Sequence, residues 1–327
     1  MRRDGANQQD SSMDRPQFSA VIPAYNRHDT IGRAIESVLA QSWPPEEIIV
    51  IDDGSTDGTD KVVKKFGSSV RYMWQENAGV PCARNRGARE AKCDWVAYLD
   101  SDDYWMNDHL THMADAIEAT DGRAGFYFAD MQLSEPNWQG SLWELADFKI
   151  DGSHQLVDDA TDWALLPRQP MMLQTTVFHR QRLLDSRGLH EKLPMRDDTH
   201  LFYKMSFGGA ACAVAHCGAQ MTSDDDSGNR LTSALGDKTL KFWVFSAIMY
   251  EDLLARFPSL AAAHRATLRK CLSLSYNRLL RFAWGQGHSK VIIGRIIKGF
   301  LMHPVCMSRA FAWMVVGPLR RRRRAAG

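Results

Sequence analysis

The sequence has few cysteines, and they form no recognisable redox or structural metal motif. None of the six belongs to a C-x-x-C pair. Cys212 and Cys217 are separated by four residues that include His216. The second pair of ligands that a structural zinc site needs does not accompany them. We therefore expect buried or free thiols in a reducing compartment.

Long apolar runs are also lacking. The chain is polar up to residue 17, so we expect a disordered tail over residues 1–16 and no secretory leader, whose apolar core spans about 7–15 residues. The apolar segment 291–316 is interrupted by charged residues and by Pro304, which argues against a simple membrane-spanning helix.

Neither sign of charge is in excess. Lys and Arg number 40 against 39 Asp and Glu, a formal charge of +1. Such a chain has no global field to attract nucleic acid, and we expect no nucleic-acid partner. With 44% hydrophobic residues among 327, it can form a sizeable core as one large domain or two modest ones.

What the sequence does have is an alternation of short apolar runs and amphipathic segments. The pattern predicts strands at residues 18–23, 47–51, 70–73 and 95–99, with helices at 30–41, 60–66 and 80–92 between them. This order is typical of an α/β fold with an open, mostly parallel, twisted sheet and helices on both faces. Ligands bind beyond the carboxyl ends of the strands in such sheets.

The pattern is less regular after residue 103. It predicts helices at 110–119 and 198–207, strands at 125–128 and 175–178, and a mostly irregular stretch at 137–162. From residue 237 onward the periodicity is helical, and the polar cluster Ser223–Gly228 is the best boundary. We expect one domain over 17–225, divided into halves at 17–105 and 106–225, and a helical region with a basic tail over 226–327.

Polar loops follow three of the predicted strands, at Pro23–Arg27, Asp52–Ser55 and Asp100–Asp103. Because the strands are predicted to be parallel, these loops should line one crevice. Carboxylates at strand ends are suited to hold Mg²⁺ or Mn²⁺, which neutralises the charge on a leaving diphosphate. The alternative for each cluster alone is turn chemistry or helix capping.

Taken together, these runs resemble the family 2 glycosyltransferases of the GT-A fold. The resemblance is carried by Val21–Asn26, Ile49–Asp57, Asn77–Gly79, Ala83–Gly87 and Leu99–Asp103, in the family's order, and it covers residues 17–215. It implies an inverting transferase that uses a nucleotide-diphosphate sugar and a divalent cation.

The resemblance also implies roles for particular residues on the donor side. Pro23, Tyr25 and Arg27 would border the nucleotide. A hydrogen bond from the base, a uridine or thymidine imide N–H, would reach Asp53, whose carboxylate is a suitable acceptor.

Three further residues are implied near the phosphates. Asp103 would be a direct ligand of Mn²⁺ or Mg²⁺, and Asp102 would lie near the ribose or the metal. Arg84 would meet the diphosphate, although an arginine on a predicted helix is as often a solvated surface residue.

Inversion needs one general base to take the proton of the acceptor hydroxyl. The segment Met195–Lys204 resembles the family's base segment, and we assign the base to Asp198. The family more often has Glu at the position of Asp197. Capping of the predicted helix by these two carboxylates is the structural alternative.

The basic and aromatic residues of the last hundred positions fit an interfacial membrane helix, and the run Arg320–Arg324 would be attracted to anionic lipid. A solvated basic tail or a nucleic-acid patch is the alternative. We therefore predict a cytoplasmic transferase, peripheral on the inner face of the membrane, that makes a polysaccharide or glycolipid from a saccharide or lipid-linked acceptor.

Two other functions are alternatives to a transferase: a sugar nucleotidyltransferase and a non-catalytic binding protein. A sugar nucleotidyltransferase needs a glycine-rich loop after the first strand, and residues 23–27 contain no glycine. A non-catalytic nucleotide-sugar-binding homologue would not need the four aspartates Asp53, Asp102, Asp103 and Asp198 together.

Overall fold

The computed structural model describes residues 15–135, 138–222, 239–285 and 290–308. Within them the strands are β1 Phe18–Ala24, β2 Glu47–Asp52, β3 Arg71–Trp74, β4 Trp95–Tyr98, β5 Tyr104–Trp105, β6 Phe126–Glu135, β7 Trp138–Ser141, β8 His154–Val157, β9 Thr176–His179 and β10 Ala211–Gln220. The helices are α1 Ile31–Leu39, α2 Thr59–Lys64, α3 Val80–Glu90, α4 His109–Ala119, α5 Leu142–Ala146, α6 Thr161–Ala164, α7 Arg180–Asp185, α8 Asp197–Ser206, α9 Leu240–Arg256, α10 Ala262–Gly285 and α11 Lys290–Met302.

The first four strands form the predicted parallel sheet, in the order β3-β2-β1-β4. Strands β1 and β4 are buried along their whole length, and β2 is buried from Ile48 onward, as continuous apolar runs require. Helix α3 packs very closely on β1, because a Cβ atom on Gly87 would lie 2.2 Å from Val21 Cγ1. This close approach brings the polar residues at the start of α3 to the carboxyl end of the sheet.

Beyond β4 the sheet continues with strands of both directions, in the order β9-β6-β10-β5. Strand β9 is antiparallel to β4 and β6, whereas β6 and β10 are parallel. The predicted parallel order therefore holds for residues 18–98, and the second half of the sheet is mixed.

Strand β10 has no counterpart among the predicted elements. The described residues of the predicted irregular stretch, 138–162, contain β7, α5, β8 and part of α6. The register of β10 against β6 shifts twice between Val214 and Ala219. This irregular part separates the residues that pair with β8 from those that pair with β5. Its small residues, alanine and glycine, have low strand propensity, which hides the strand in the sequence.

The predicted helical region is present as α9, α10 and α11, and it has its own hydrophobic cluster around Leu253, Leu272 and Tyr276. Tyr203 of α8 belongs to the same cluster, so these helices pack on the second half of the sheet domain. No helix in the described ranges is both long and apolar enough to cross a bilayer. The expected N-terminal tail up to residue 14, the boundary at 223–228 and the run 320–324 lie outside the described residues.

Candidate active site

A cavity of about 1120 Å³ opens at the carboxyl ends of β1, β2 and β4. Its lining contains every residue predicted for the site: Pro23, Tyr25, Arg27, Asp53, Arg84, Asp102, Asp103 and Asp198. The three strand-end loops thus border one crevice, as the parallel topology requires. The volume is sufficient for a ligand of nucleotide-sugar size.

Asp53 follows β2 and is only 3% exposed. Its carboxylate accepts hydrogen bonds from Gln75 Nε2 at 2.7 Å and from the backbone N–H groups of Ala78 and Gly79 at 2.9 and 2.8 Å. These bonds hold the loop before α3 against the end of β2. A carboxylate has about four acceptor positions, so one remains for a ligand.

Its neighbour Asp52 has a purely structural environment. One oxygen accepts from the backbone N–H of Ser55 at 2.8 Å and the other from the Tyr72 hydroxyl at 2.6 Å. Burial and this carboxylate together raise the pKa of Tyr72. Asp52 therefore fixes the turn that presents Asp53.

Three carboxylates meet after β4. Asp100, Asp102 and Asp103 can each offer an oxygen such that the three oxygens lie within 4.8 Å of one another. Oxygen-only donors with this spacing suit a hard divalent cation such as Mg²⁺ or Mn²⁺, which commonly takes one or two protein carboxylates together with substrate phosphates. The residues present therefore fit the predicted metal.

Two residues that the sequence did not single out orient this trio. Gln174 Nε2 donates to Asp100 at 2.5 Å and to Asp103 at 3.3 Å. Thr222 donates its backbone N–H to the Asp103 carboxylate at 3.2 Å and its hydroxyl to the Asp102 carbonyl at 2.6 Å. Both lie far along the chain from residue 100, and no motif marks them.

The residues that were predicted to border the nucleotide differ in exposure. Tyr25 is 45% exposed at the mouth of the cavity. The Arg27 guanidinium lies 3.6 Å from the Asp102 carboxylate, with both side chains about 15% exposed or less. Arg27 is thus placed between the first loop and the acidic trio.

Arg84 on α3 is buried and joins two halves of the site. Its Nη1 donates to Asp197 at 2.9 Å and its Nη2 to Asp100 at 2.5 Å. Although burial alone would lower the pKa of Arg84, the two carboxylates raise it above its ordinary value, so the cation is firmly retained. Contact with a diphosphate remains a prediction, since both terminal nitrogens already have carboxylate partners.

The predicted base segment forms the first turn of α8, directly after Arg196, whose φ of 69° is left-handed. Asp197 is buried, and burial raises its pKa to about 6, with Arg84 opposing the rise. Asp198 is less buried, and its Oδ1 accepts from the backbone N–H of Thr199 at 2.5 Å. Of the two, Asp198 is the carboxylate without a cation partner among the described ion pairs.

Helices α9 and α10 line the side of the cavity beside α8. Trp243, Tyr250, Thr267 and Lys270 lie on this side, where the sequence supported no assignment of individual residues. His200 is fully buried and hydrogen bonds through Nε2 to Asp252 of α9 at 2.8 Å, so it connects α8 to the helical region.

Trp143, Trp163 and His179 are not part of the cavity lining. Trp143 and Trp163 pack around Phe128 and Phe148 in an aromatic cluster, which is a core role and not one of sugar stacking. His179 contacts Trp95 at the beginning of β4, the end of the strand opposite to the cavity. The side chain of Trp138 is outside the described set.

Comparison with known proteins agrees with this geometry. The family model for Glycosyl transferase family 2 matches residues 19–163. The matched segment is less than half of the chain. It contains the acidic trio and the strands up to β8, while Asp197 and Asp198 follow it in the chain.

Curated relatives match part of the chain. TuaG of Bacillus subtilis, a glycosyltransferase named for teichuronic acid biosynthesis, is 41% identical over 101 residues, which are 29% of this chain and 40% of TuaG. The uncharacterized glycosyltransferase YibD of Escherichia coli is 41% identical over 90 residues, 27% of this chain and 26% of YibD. The chain thus spans less than half the length of these relatives.

Solved structures are similar to this chain over more than residues 19–163. TarS 1–349 of S. aureus in complex with UDP-GlcNAc has a TM-score of 0.58 at 19% identity, covering 83% of this chain and 74% of that one. The mannosyltransferase PcManGT of Pyrobaculum calidifontis, in complex with GDP-Man and Mn²⁺, has a TM-score of 0.51 at 17% identity, covering 93% and 88%. The predicted GT-A fold, followed by a helical region, is confirmed.

Proposed function

We propose that this chain is an inverting glycosyltransferase of hexosyltransferase type, which moves a sugar from a nucleotide-diphosphate sugar to a hydroxyl of a saccharide or lipid-linked acceptor. One observation carries the proposal. Carboxylates that are far apart in the sequence, the trio after β4 and Asp198 on α8, line the same cavity. The name of TuaG and the UDP-GlcNAc bound by TarS support a place in cell-surface polysaccharide synthesis.

On the donor side, the base of the nucleotide would lie against Asp53, with Pro23, Tyr25 and Arg27 around it. The free acceptor position of the Asp53 carboxylate takes the imide N–H of uridine or thymidine. The loop held by the other three hydrogen bonds keeps that oxygen in place. A buried polar acceptor of this kind discriminates against bases that lack a matching donor.

Asp103 and Asp102 would hold the Mn²⁺ or Mg²⁺, which when bound offsets the negative charge that develops on the leaving diphosphate. Asp103 is 3% exposed and already oriented by Gln174 and Thr222. Such fixed orientation reduces the reorganisation needed when charge develops.

On the acceptor side, Asp198 takes the proton of the attacking hydroxyl. The bond between the acceptor oxygen and the anomeric carbon forms as the bond from that carbon to the diphosphate breaks, which inverts the carbon. Asp197 is held by Arg84 and is not needed as a base. Arg84 acts by positioning the first turn of α8 against the donor half.

The C-terminal residues would place the enzyme at a membrane surface. Helix α11 exposes Ile297, Phe300 and Leu301, which suits an interfacial helix. The five arginines of 320–324 would add attraction to anionic lipid.

A donor screen tests the function. Melting temperatures are measured with UDP-GlcNAc, dTDP-glucose and GDP-mannose, with and without Mn²⁺, because a ligand at about 100 times its Kd stabilises the native state by roughly 2.7 kcal/mol. We expect a uridine or thymidine donor to raise the melting temperature more when Mn²⁺ is present. If none of the three donors raises the melting temperature, with or without Mn²⁺, the proposal is wrong.

Product analysis separates the three functions. With saccharide acceptors present, the proposed transferase releases a nucleoside diphosphate. A sugar nucleotidyltransferase would release inorganic pyrophosphate from a nucleoside triphosphate, and a non-catalytic homologue would bind the donor without releasing either.

A further inference from the structure

A second cluster of metal-binding side chains lies outside the cavity. Asp108, His112 and His216 can each offer a ligand atom such that the three atoms lie within 4.8 Å of one another. Nε2 of His112 is 3.4 Å from Oδ2 of Asp108, and Nε2 of His216 is 3.4 Å from Oδ1. The two imidazole rings stack with their centroids 4.2 Å apart.

These nitrogen to oxygen distances are too long for ordinary hydrogen bonds, which span about 2.7–3.2 Å. They suit a shared ion instead. Two donor atoms that each lie about 2.0–2.1 Å from a tetrahedral zinc ion are about 3.3 Å apart. The cluster therefore has the spacing of a ligand set.

The hydrogen bonding of the cluster is incomplete without a further group. Nε2 of His216 is buried and has no hydrogen-bond partner among the described residues. Asp108 occupies the N-cap position of α4, yet its side chain accepts no capping hydrogen bond. An unsatisfied buried nitrogen destabilises the native state, and an ion at this point would remove that cost.

The backbone aims the three side chains at one another. Asp108 and His112 are four residues apart at the start of α4, so they lie on the same face of the helix. His216 lies in the first of the two register shifts of β10, between Val214 and Cys217, and such bulges redirect side chains. The ring of the fully buried His109 stacks on that of His216, with the two ring centroids 6.2 Å apart, on the buried side of the cluster.

We propose that Asp108, His112 and His216 bind one zinc-type transition-metal ion, with water completing the coordination. Two imidazoles and a carboxylate favour Zn²⁺ or Co²⁺, whereas the oxygen-only trio in the cavity favours Mg²⁺ or Mn²⁺. The ion fastens α4 to β10 beside β5, the strand that directly follows Asp103. The site is structural and does not depend on the proposed transferase activity.

Cobalt substitution tests the site in the full chain. After treatment with a chelator, the protein is titrated with Co²⁺, and the visible absorption of a tetrahedral cobalt site is followed. Zn²⁺ should displace the cobalt at one equivalent. The side chains of Asp108 and His112 are 54% and 45% exposed, so Asp108→Asn and His112→Gln should fold normally, which circular dichroism checks.

Either substitution should weaken Zn²⁺ binding by at least about 100-fold, because loss of a mere outer-sphere partner already costs 10–100-fold. His264→Gln is the matched control, because His264 pairs with Asp162 at 2.9 Å and is not a member of the cluster. This variant should bind Zn²⁺ as the native chain does. Asp103→Asn should also keep the cobalt absorption.

Three results would overturn the proposal. The first is no binding of Zn²⁺ or Co²⁺ at micromolar concentrations. The second is equal affinity in the native chain and His112→Gln. The third is loss of the cobalt absorption in Asp103→Asn, which would assign the ion to the cavity.

Discussion

Replacement of Arg84 by methionine tests the ion pairs that join the two halves of the site. Methionine keeps most of the length of the side chain and removes the guanidinium. It leaves the Asp197 carboxylate, 7% exposed, without its cation. Breaking a buried ion pair by removing one partner costs about 3–5 kcal/mol. At about 2–4 °C per kcal/mol for a domain of 150–250 residues, the melting temperature should fall by roughly 6–20 °C.

Arg71 supplies a matched control. It also pairs with two carboxylates, those of Glu90 at 2.5 Å and Glu47 at 3.7 Å, but its side chain is 38% exposed. Exposed ion pairs contribute about 0–1 kcal/mol. Arg71→Met should therefore lower the free energy of unfolding by about 1 kcal/mol or less.

The pH dependence of stability distinguishes the loss of an ion pair from a loss of packing. Burial raises the pKa of Asp197 from 3.8 to about 6, while Arg84 lowers it. Because the pKa of Asp197 is higher in the folded than in the unfolded state, protonation of Asp197 stabilises the fold. This stabilisation is complete below pH 3.8 and is lost as pH rises through about 6. Without Arg84 the pKa of Asp197 rises further. The free energy of unfolding that Arg84→Met loses relative to the native chain should therefore grow between about pH 5 and 8.

The assay is urea unfolding of the native chain and both variants at pH 5, 6.5 and 8. The reasoning is refuted if Arg84→Met and Arg71→Met lose equal free energy at pH 8. A deficit of Arg84→Met that does not change with pH would assign the loss to packing alone.

Three further predictions concern the proposed reaction. Asp103→Asn should abolish the Mn²⁺-dependent rise in melting temperature that a donor produces, and an unchanged rise would exclude this metal site. Asp198→Asn should bind donor as the native chain does and transfer sugar about 10²–10⁴ times more slowly, the usual contribution of a general base; a fully active variant would place the base elsewhere. Deletion of residues 318–327 should weaken binding to anionic vesicles at moderate salt, since each arginine near the surface adds about 1 kcal/mol, and equal binding by both forms would contradict a membrane role.

The part of the cavity that lies at the strand ends could be predicted because its information is local. Each apolar run before Asp53 or Asp100 is a buried strand, and each polar loop after it is at the strand's carboxyl end. Parallel pairing then brings the loops to one edge, whatever lies between them in the chain. The position of Asp103 in the cavity follows from that rule.

The rest depends on contacts between distant residues, for which the sequence carries no local signal. Arg84 and Asp197 are separated by 113 positions, and either alone looks like an ordinary helical charge. Gln174 and Thr222 are similar cases. The cysteine spacing around His216 suggested no metal site, because the two other ligands come from α4.

The cavity is bounded by two separately packed bodies of apolar side chains, one under the sheet and one within α9 and α10. Substitutions far apart and without shared partners act almost independently on stability. Residues such as Thr267 or Lys270, which line the cavity without being buried, can therefore be exchanged to reshape one rim while the rim at the strand ends keeps its geometry. The helical side of the cavity can therefore vary in sequence while the sheet side is retained.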